Sequence, residues 1–117
     1  MEIKKLHLRN FRNYCDETVE FSKNISFIFG ENAQGKTNII EGLYLLSTGK
    51  SHRTNNMNEL VKYGENYFDI MLEFEENQYL QSIRMKYEKG KRRELYINDI
   101  KREKISDLLG VIRSVLF

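Results

Sequence analysis

The chain has 117 residues, the length of one ordinary domain, with 40% hydrophobic residues, 31% charged residues and a formal net charge of +2. This composition is typical of a globular domain rather than a disordered chain, and the small net charge does not by itself demand a nucleic-acid partner. The absence of an apolar run long enough for a membrane helix argues against a membrane span, and the single cysteine, Cys15, fits a reducing cytoplasm.

The first third of the chain predicts three strands and a helix. Residues 3–9 and 17–21 alternate apolar and polar side chains, which favours two strands joined by a polar turn over residues 10–16. Residues 25–29 are nearly all apolar, as in a strand that is buried on both faces. Ile39, Leu43 and Leu46 form one apolar row at helical spacing, and Ile40 and Tyr44 form a second, which predicts a helix over residues 36–47.

A phosphate-binding motif, Gly30-Glu31-Asn32-Ala33-Gln34-Gly35-Lys36-Thr37, lies between the buried strand and the helix. Backbone N–H groups of such a loop hold phosphate together with the positive end of the helix dipole. Lys36 is placed to reach the β- and γ-phosphates, and the Thr37 hydroxyl is placed to bind Mg²⁺. The motif therefore predicts binding of a nucleoside triphosphate with magnesium, and its flanking strand and helix disfavour a Gly-rich turn with an incidental lysine.

The second half of the chain changes to a period of two, which is typical of antiparallel strands. Its predicted elements, in chain order, are a polar loop at 51–56, a short helix at 57–63, strands at 68–74 and 83–87 with a turn at 75–78, a turn at 88–91, a strand at 95–97 and a helix at 101–109. The predicted fold class is α/β, a P-loop NTPase unit combined with an antiparallel β-meander in a single domain.

Three segments resemble the RecF family of bacterial DNA replication and repair ATPases, which is related to the SMC and ABC families. They are Leu6 to Tyr14, the P-loop through Asn38, and Gly49 to Thr54, and they keep the order and spacing of that family. The resemblance implies part of the first lobe of an ABC/SMC-like ATPase head. Residues 111–117 form an apolar run without a polar tail, so we expect a fragment of a longer protein, cut after its N-terminal ATP-binding subdomain.

The resemblance also implies cofactors and partners. The cofactors are ATP and Mg²⁺, and the partners are duplex DNA at gaps, a second copy in an ATP-dependent dimer, and RecO and RecR in loading RecA and in the SOS response. The signature motif and the Walker B carboxylate are expected beyond Phe117, so no catalytic residue is predicted within the chain. We expect the chain alone to bind nucleotide weakly without hydrolysing it. A head of another SMC-like ATPase, or a non-hydrolysing interaction module, is the alternative.

The resemblance extends the nucleotide site beyond the loop. Arg12 follows the first strand, where SMC-like heads place an arginine near the nucleotide, and a guanidinium can fork onto phosphate oxygens. On the residues alone, a solvated turn arginine is an equal alternative, and Asn13 carries a weaker form of the same prediction. The predicted nucleotide-binding residues are Gly30, Glu31, Asn32, Ala33, Gln34, Gly35, Lys36, Thr37, Asn38, Arg12 and Asn13.

Basic side chains supply candidates for DNA contact. Arg53 falls where SMC proteins carry an arginine loop beside DNA and the nucleotide, with a solvated loop charge as the equal alternative. The basic turn that starts at Lys89 predicts sequence-independent phosphate contact, whereas the run from Lys101 to Lys104 is diluted by Glu103 and favours a solvated surface. The predicted DNA-binding residues are Arg53, Lys89, Lys91, Arg92 and Arg93.

Overall fold

A computed structural model describes residues 2–21 and 33–107 of the chain. The predicted buried strand at 25–29, the loop residues Gly30, Glu31 and Asn32, and the apolar run at 111–117 lie outside the described residues. Ala33, Gln34 and Gly35 are described by their backbone alone. Within the described ranges, no helix is both long enough and apolar enough to cross a membrane.

The strands of the described residues form one sheet in which all neighbours are antiparallel, in the order β2-β1-β3-β4-β5-β6. Their bounds are β1 Glu2–Phe11, β2 Tyr14–Glu20, β3 Tyr67–Glu76, β4 Tyr79–Glu88, β5 Glu94–Ile97 and β6 Ile100–Arg102. Helix α1 spans Ala33–Thr48, and short 3-10 turns span Met57–Leu60 and Ile105–Asp107. Strands β3 to β6 are neighbours in chain order, so the predicted β-meander is confirmed.

The connection between β1 and β2 is tighter than the predicted turn over residues 10–16. Phe11 pairs with Tyr14, which leaves only Arg12 and Asn13 in the turn, and Arg12 has a left-handed φ of 54°. Most side chains of β2 are exposed. Because polar residues fit such an exposed strand, the polarity that favoured a loop over residues 10–16 was misleading.

The predicted helix over residues 101–109 is wrong at its start. Asn98 and Asp99 form a two-residue turn with φ values of 52° and 66°, and β6 then pairs with β5. Only a 3-10 turn at Ile105–Asp107 follows within the described residues. Asn and Asp tolerate the left-handed region, so this turn lets backbone pairing with β5 prevail over a weak helical pattern.

Helix α1 packs on the face of the sheet formed by β1, β3 and β4. Its predicted apolar row is buried, with Ile39 and Leu43 each 1% exposed and Leu46 fully buried. The β1 face contributes Leu6 and Leu8, whose side chains approach the backbone of the helix at Gly42. This packing places the first turns of α1 beside the β1–β2 turn, where the polar residues of the candidate site meet.

Candidate nucleotide-binding site

The helix that carries the end of the P-loop motif begins at Ala33, three residues before its predicted start. The first backbone N–H groups of a helix lack partners within the helix and lie at the positive end of its dipole. Lys36 and Thr37 therefore lie within the first turns of α1, with Lys36 half-buried and Thr37 exposed. This is the local geometry that anion binding at a helix N-terminus needs.

An open cleft of about 1160 Å³ lies beside these first turns. We call it the helix-end cleft; it is lined by Arg12, Asn13, Thr37, Asn38, Arg53, Asn58, Glu59, Val61, Lys62, Tyr63, Gly64 and Lys89. The cleft thus brings together Arg12, Asn13, Thr37 and Asn38 from the predicted nucleotide set, together with Arg53 and Lys89 from the predicted DNA set. The motif residues Gly30, Glu31 and Asn32 lie outside the described residues.

Backbone hydrogen bonds join two of the segments that line the helix-end cleft. The Arg12 N–H donates to the Leu60 carbonyl at 2.8 Å, and the Lys62 N–H donates to the Asn10 carbonyl at 2.7 Å. The segment that ends in Tyr63 is therefore fixed against the end of β1. The Tyr63 side chain is 97% exposed, an unusual degree of exposure for a large aromatic residue on the wall of a cleft.

Arg12 makes a bidentate ion pair with Glu41 of helix α1. Its Nε donates to Glu41 Oε1 at 2.7 Å and its Nη2 donates to Oε2 at 2.9 Å, while the Glu41 side chain is fully buried. Burial opposes ionisation of Glu41, but hydrogen bonds from Arg12 and Ser51, together with the charges of Arg12 and Arg53, lower its carboxyl pKa below the ordinary range. The hydrogen bond to Glu41 raises the pKa of Arg12.

Arg53 joins the same cluster from the loop after α1. Its Nη1 donates to Asn38 Oδ1 at 2.8 Å and to Glu41 Oε1 at 3.3 Å. Asn38 in turn donates from Nδ2 to Asn13 Oδ1 at 2.7 Å. Three segments of the chain, the β1–β2 turn, helix α1 and the loop after it, therefore meet in one polar network at the edge of the helix-end cleft.

Sequence reasoning missed Glu41, which is the centre of this network. The only signal was an acidic residue between Ile40 and Gly42 in the apolar part of the helix. Charged residues are almost never fully buried unless they are paired, so such a position predicts a buried partner. The sequence did not say which of 19 lysines and arginines would supply that partner.

The predicted DNA-binding residues after β4 have different surroundings. Lys89 lines the helix-end cleft, while Lys91 is exposed and lies 3.1 Å from Glu88 in an ion pair. Arg92 is exposed. Arg93 is half-buried and donates to the Gly49 carbonyl just after helix α1, and burial lowers the pKa of its guanidinium. The Arg93 side chain thus already satisfies a backbone group at the end of α1.

A second open cleft, of about 1000 Å³, lies over the meander. We call it the meander groove; its basic lining residues are Lys86, Lys91, Arg92, Arg93, Lys101 and Arg102, and its acidic ones are Asp69, Glu88, Glu94 and Glu103. The pairing of β5 with β6 brings the two basic runs of the sequence to this one groove. Sequence reasoning treated these runs separately, because their proximity depends on strand pairing.

The sequence is similar to those of a known protein family and of several curated proteins. Residues 5–113 match the protein family described as AAA domain. The chain is 45% identical to the DNA replication and repair protein RecF of Acetivibrio thermocellus and 43% identical to that of Clostridium acetobutylicum, each over 117 residues. These alignments cover 100% of the chain but 32% of each relative, so the chain spans about a third of the length of the curated relatives that it matches.

Solved structures show the same similarity. A recombination mediator protein RecF of the RecFOR pathway, solved as RecF–ATP, matches with a TM-score of 0.79 and 30% identity over 94% of this chain and 31% of that chain. An SMC ATPase structure matches with a TM-score of 0.78 and 24% identity over 93% of this chain and 76% of that chain, which shows the fold alone. The predicted fold class, a P-loop NTPase of the ABC/SMC head type, is confirmed.

Proposed function

The chain belongs to the AAA domain family and is RecF-like over its whole length, and from this premise we propose that it is the ATP-binding part of a DNA replication and repair ATPase head. The observation that carries the proposal is the helix-end cleft, which brings Arg12, Asn13 and Arg53 to the first turns of the helix bearing Lys36 and Thr37. Because the chain spans only a third of its relatives, the activity and partners of the whole protein are part of the proposal.

The residues around the helix-end cleft suit a nucleoside triphosphate in magnesium form. The P-loop residues Gly30 to Asn38 would hold the phosphates, with Lys36 as a point charge and the Thr37 hydroxyl as a magnesium ligand. Bound Mg²⁺ supplies charge neutralisation on the phosphate oxygens. Among the described residues, Arg12 donates two of its five N–H groups to Glu41, and the others would be the donors for an anion in the cleft.

Tyr63, which lines the helix-end cleft, offers a surface for the base. Tyr63 projects from a segment that is anchored to β1 through Lys62, and its ring is almost fully exposed. Aromatic rings prefer stacked contacts with other flat π-systems. With the phosphates at the start of α1, the base would stack on Tyr63, which supports a nucleotide rather than a simple anion as the ligand.

DNA contact is the second element of the proposal. The meander groove has six basic and four acidic side chains, and two of the acidic ones, Glu88 and Glu94, are paired with Lys91 and Lys101. A basic groove of this kind attracts the phosphate backbone without reading sequence. Arg53, Lys89, Lys91, Arg92 and Arg93 stay candidates. Arg92 is favoured because it lines the meander groove, is exposed and forms no ion pair among the described residues.

We propose that the whole protein closes on ATP as a dimer, binds duplex DNA at gaps, and acts with RecO and RecR in loading RecA and in the SOS response. The groups that complete hydrolysis, a signature motif and a Walker B carboxylate, would then lie in the part of the relatives' length that this chain does not span. The chain alone is accordingly expected to bind ATP without turning it over.

The test is the molar mass of the whole protein in solution, with and without ATP and Mg²⁺, followed by binding to a gapped duplex. The proposal predicts a dimer with ATP and a monomer without it, and DNA binding that depends on ATP. Lys36→Ala should abolish both, because Lys36 is the cation of the phosphate site. Unchanged dimerisation in Lys36→Ala would contradict the mechanism, and hydrolysis by the 117-residue chain alone would contradict the division of the site.

A further inference from the structure

Glu41 is a fully buried carboxylate that accepts four hydrogen bonds from three side chains of the described residues. They come from Arg12 Nε at 2.7 Å, Arg12 Nη2 at 2.9 Å, Ser51 Oγ at 2.6 Å and Arg53 Nη1 at 3.3 Å. A buried charge is costly unless its geometry and hydrogen bonding are nearly complete. The network meets that condition on both carboxylate oxygens, so Glu41 fixes the positions of the Arg12, Ser51 and Arg53 side chains.

The two arginines are held with different strength. Arg12 forms the shorter, bidentate pair and keeps a left-handed backbone conformation, with φ of 54°, that is uncommon for arginine. Such conformations persist where the surroundings over-determine them. Arg53 makes one longer contact to Glu41, and its side chain is more exposed, at 36% against 21% for Arg12. The Arg12 side chain is therefore held more firmly by Glu41 than the Arg53 side chain is.

Glu41 also shapes the loop that carries Arg53. The Ser51 hydroxyl donates to Glu41 Oε2, and its oxygen accepts the backbone N–H groups of Arg53 at 3.0 Å and of Thr54 at 3.3 Å. Since the hydroxyl has one hydrogen to donate, the carboxylate sets its direction and leaves its lone pairs for the loop. The position of Arg53 thus depends on Glu41 both directly and through Ser51.

We propose that Glu41 is a positioning residue of the nucleotide site, which holds Arg12 and Arg53 at the edge of the helix-end cleft so that both guanidiniums face the phosphates. This inference rests on the proposed function, because it assigns the cleft to a triphosphate. Glu41 is itself fully buried and does not line the cleft. Its effect on the ligand therefore passes through the arginines.

The direction in which ATP affinity changes in Glu41→Gln separates a positioning role from a purely electrostatic one. Glu41→Gln removes a negative charge near the phosphates, so Coulomb's law alone predicts tighter binding of ATP. If Glu41 acts by positioning, binding weakens instead, by at least about tenfold, because a glutamine amide cannot accept both guanidinium bonds. The matched control is Glu59→Gln, an acidic residue that lines the same cleft and accepts a hydrogen bond from Thr54. Glu59→Gln should bind ATP at least as tightly as the unmodified chain.

The experiment is calorimetric titration of the chain and its variants with ATP and Mg²⁺, together with ¹⁵N NMR of the arginine Nε–H groups. In the unmodified chain the Arg12 Nε–H should give a slowly exchanging, downfield signal that disappears in Glu41→Gln and remains in Glu59→Gln. This readout needs no nucleotide. If the unmodified chain binds no ATP, the proposed function fails, while the NMR signal still tests whether Glu41 holds Arg12.

The effect of Glu41→Gln in a variant that lacks both arginines tests whether Glu41 has a merely structural role. In an Arg12→Gln/Arg53→Gln background, adding Glu41→Gln should change ATP affinity by less than about twofold, since the positioned groups are gone. A further large loss there would show that Glu41 acts through the fold, and would overturn the proposal. If Glu41→Gln does not fold, Ser51→Ala tests the proposal instead. Loss of its hydroxyl should weaken ATP binding about threefold, and binding equal to the unmodified chain would refute the inference.

Discussion

Gly42 in the middle of helix α1 offers a direct test of the packing between the helix and the sheet. A Cβ added at Gly42 would lie 3.4 Å from Leu8 Cδ2, 3.7 Å from Leu6 Cδ2 and 3.8 Å from Phe11 Cε2. These distances are ordinary van der Waals contacts, so alanine fits without displacing β1. Glycine is less favourable than alanine by about 0.8–1 kcal/mol in a helix interior. Gly42→Ala should therefore stabilise the chain by about 1 kcal/mol, or about 4 °C in Tm.

Gly64 provides the matched control, because the same chemical change there should have the opposite sign. It has a φ of 86°, and a Cβ at this position would meet nothing within 4 Å. Alanine in the left-handed region costs about 1–2 kcal/mol, which a less flexible unfolded chain offsets only in part. Thermal and urea unfolding of Gly42→Ala, Gly64→Ala and the unmodified chain measure both effects. A destabilised Gly42→Ala would refute the close but unstrained packing of α1 against Leu6 and Leu8.

Three further predictions concern charged groups. Folding lowers the pKa of Glu41, so its ion pair with Arg12 stabilises the fold fully above the ordinary carboxyl pKa, and this stabilisation is lost as the pH falls through the lowered pKa of the folded chain. Urea unfolding from pH 7 to 3 should show this loss of stability in the unmodified chain but not in Glu41→Gln. Arg93→Met should cost about 1 kcal/mol in thermal unfolding, since it removes the donor to the Gly49 carbonyl at the end of α1, whereas exposed Lys91→Met should stay within about 0.5 kcal/mol. Arg92→Ser should weaken duplex DNA binding and reduce the slope of log K against log salt by about 1, whereas Lys5→Ser is the unaffected control, because Lys5 lines neither cleft.

The elements that sequence predicted well are those fixed by local periodicity. Alternation over residues 68–74 and 83–87 lies within β3 and β4, and the row Ile39, Leu43 and Leu46 is the buried row of α1. Burial of one face imposes these patterns within a single element, so they can be read without knowing its neighbours.

The elements that sequence misjudged depend on neighbours in space. β6 is a strand because a two-residue turn lets it pair with β5, although the residues from Lys101 onward have a helical pattern. The β3–β4 turn is likewise shorter than predicted, with left-handed φ at Asn77 and Gln78, because Glu75 and Glu76 still pair with β4. Strand pairing satisfies backbone groups, and this outweighs weak local preferences.

One part of the candidate site could likewise be predicted from the sequence and another could not. The P-loop motif predicts phosphate binding by itself, because its loop, lysine and hydroxyl residues are consecutive in the chain. The Glu41 network joins residues that are 10 to 29 positions apart, and neither charge nor spacing selects Arg12 and Arg53 among the basic residues. Only the packing of α1 against β1 brings these side chains together.

Binding of ATP with magnesium in the helix-end cleft is tested by equilibrium titration of the 117-residue chain. Lys36→Ala is the matched variant, since Lys36 lies in the first turns of α1 and is only half-buried. We expect saturable binding of one ATP per chain, weak but measurable, with affinity reduced by at least about tenfold in Lys36→Ala. Absence of binding by the folded chain, or equal binding by Lys36→Ala, would contradict the proposed nucleotide site.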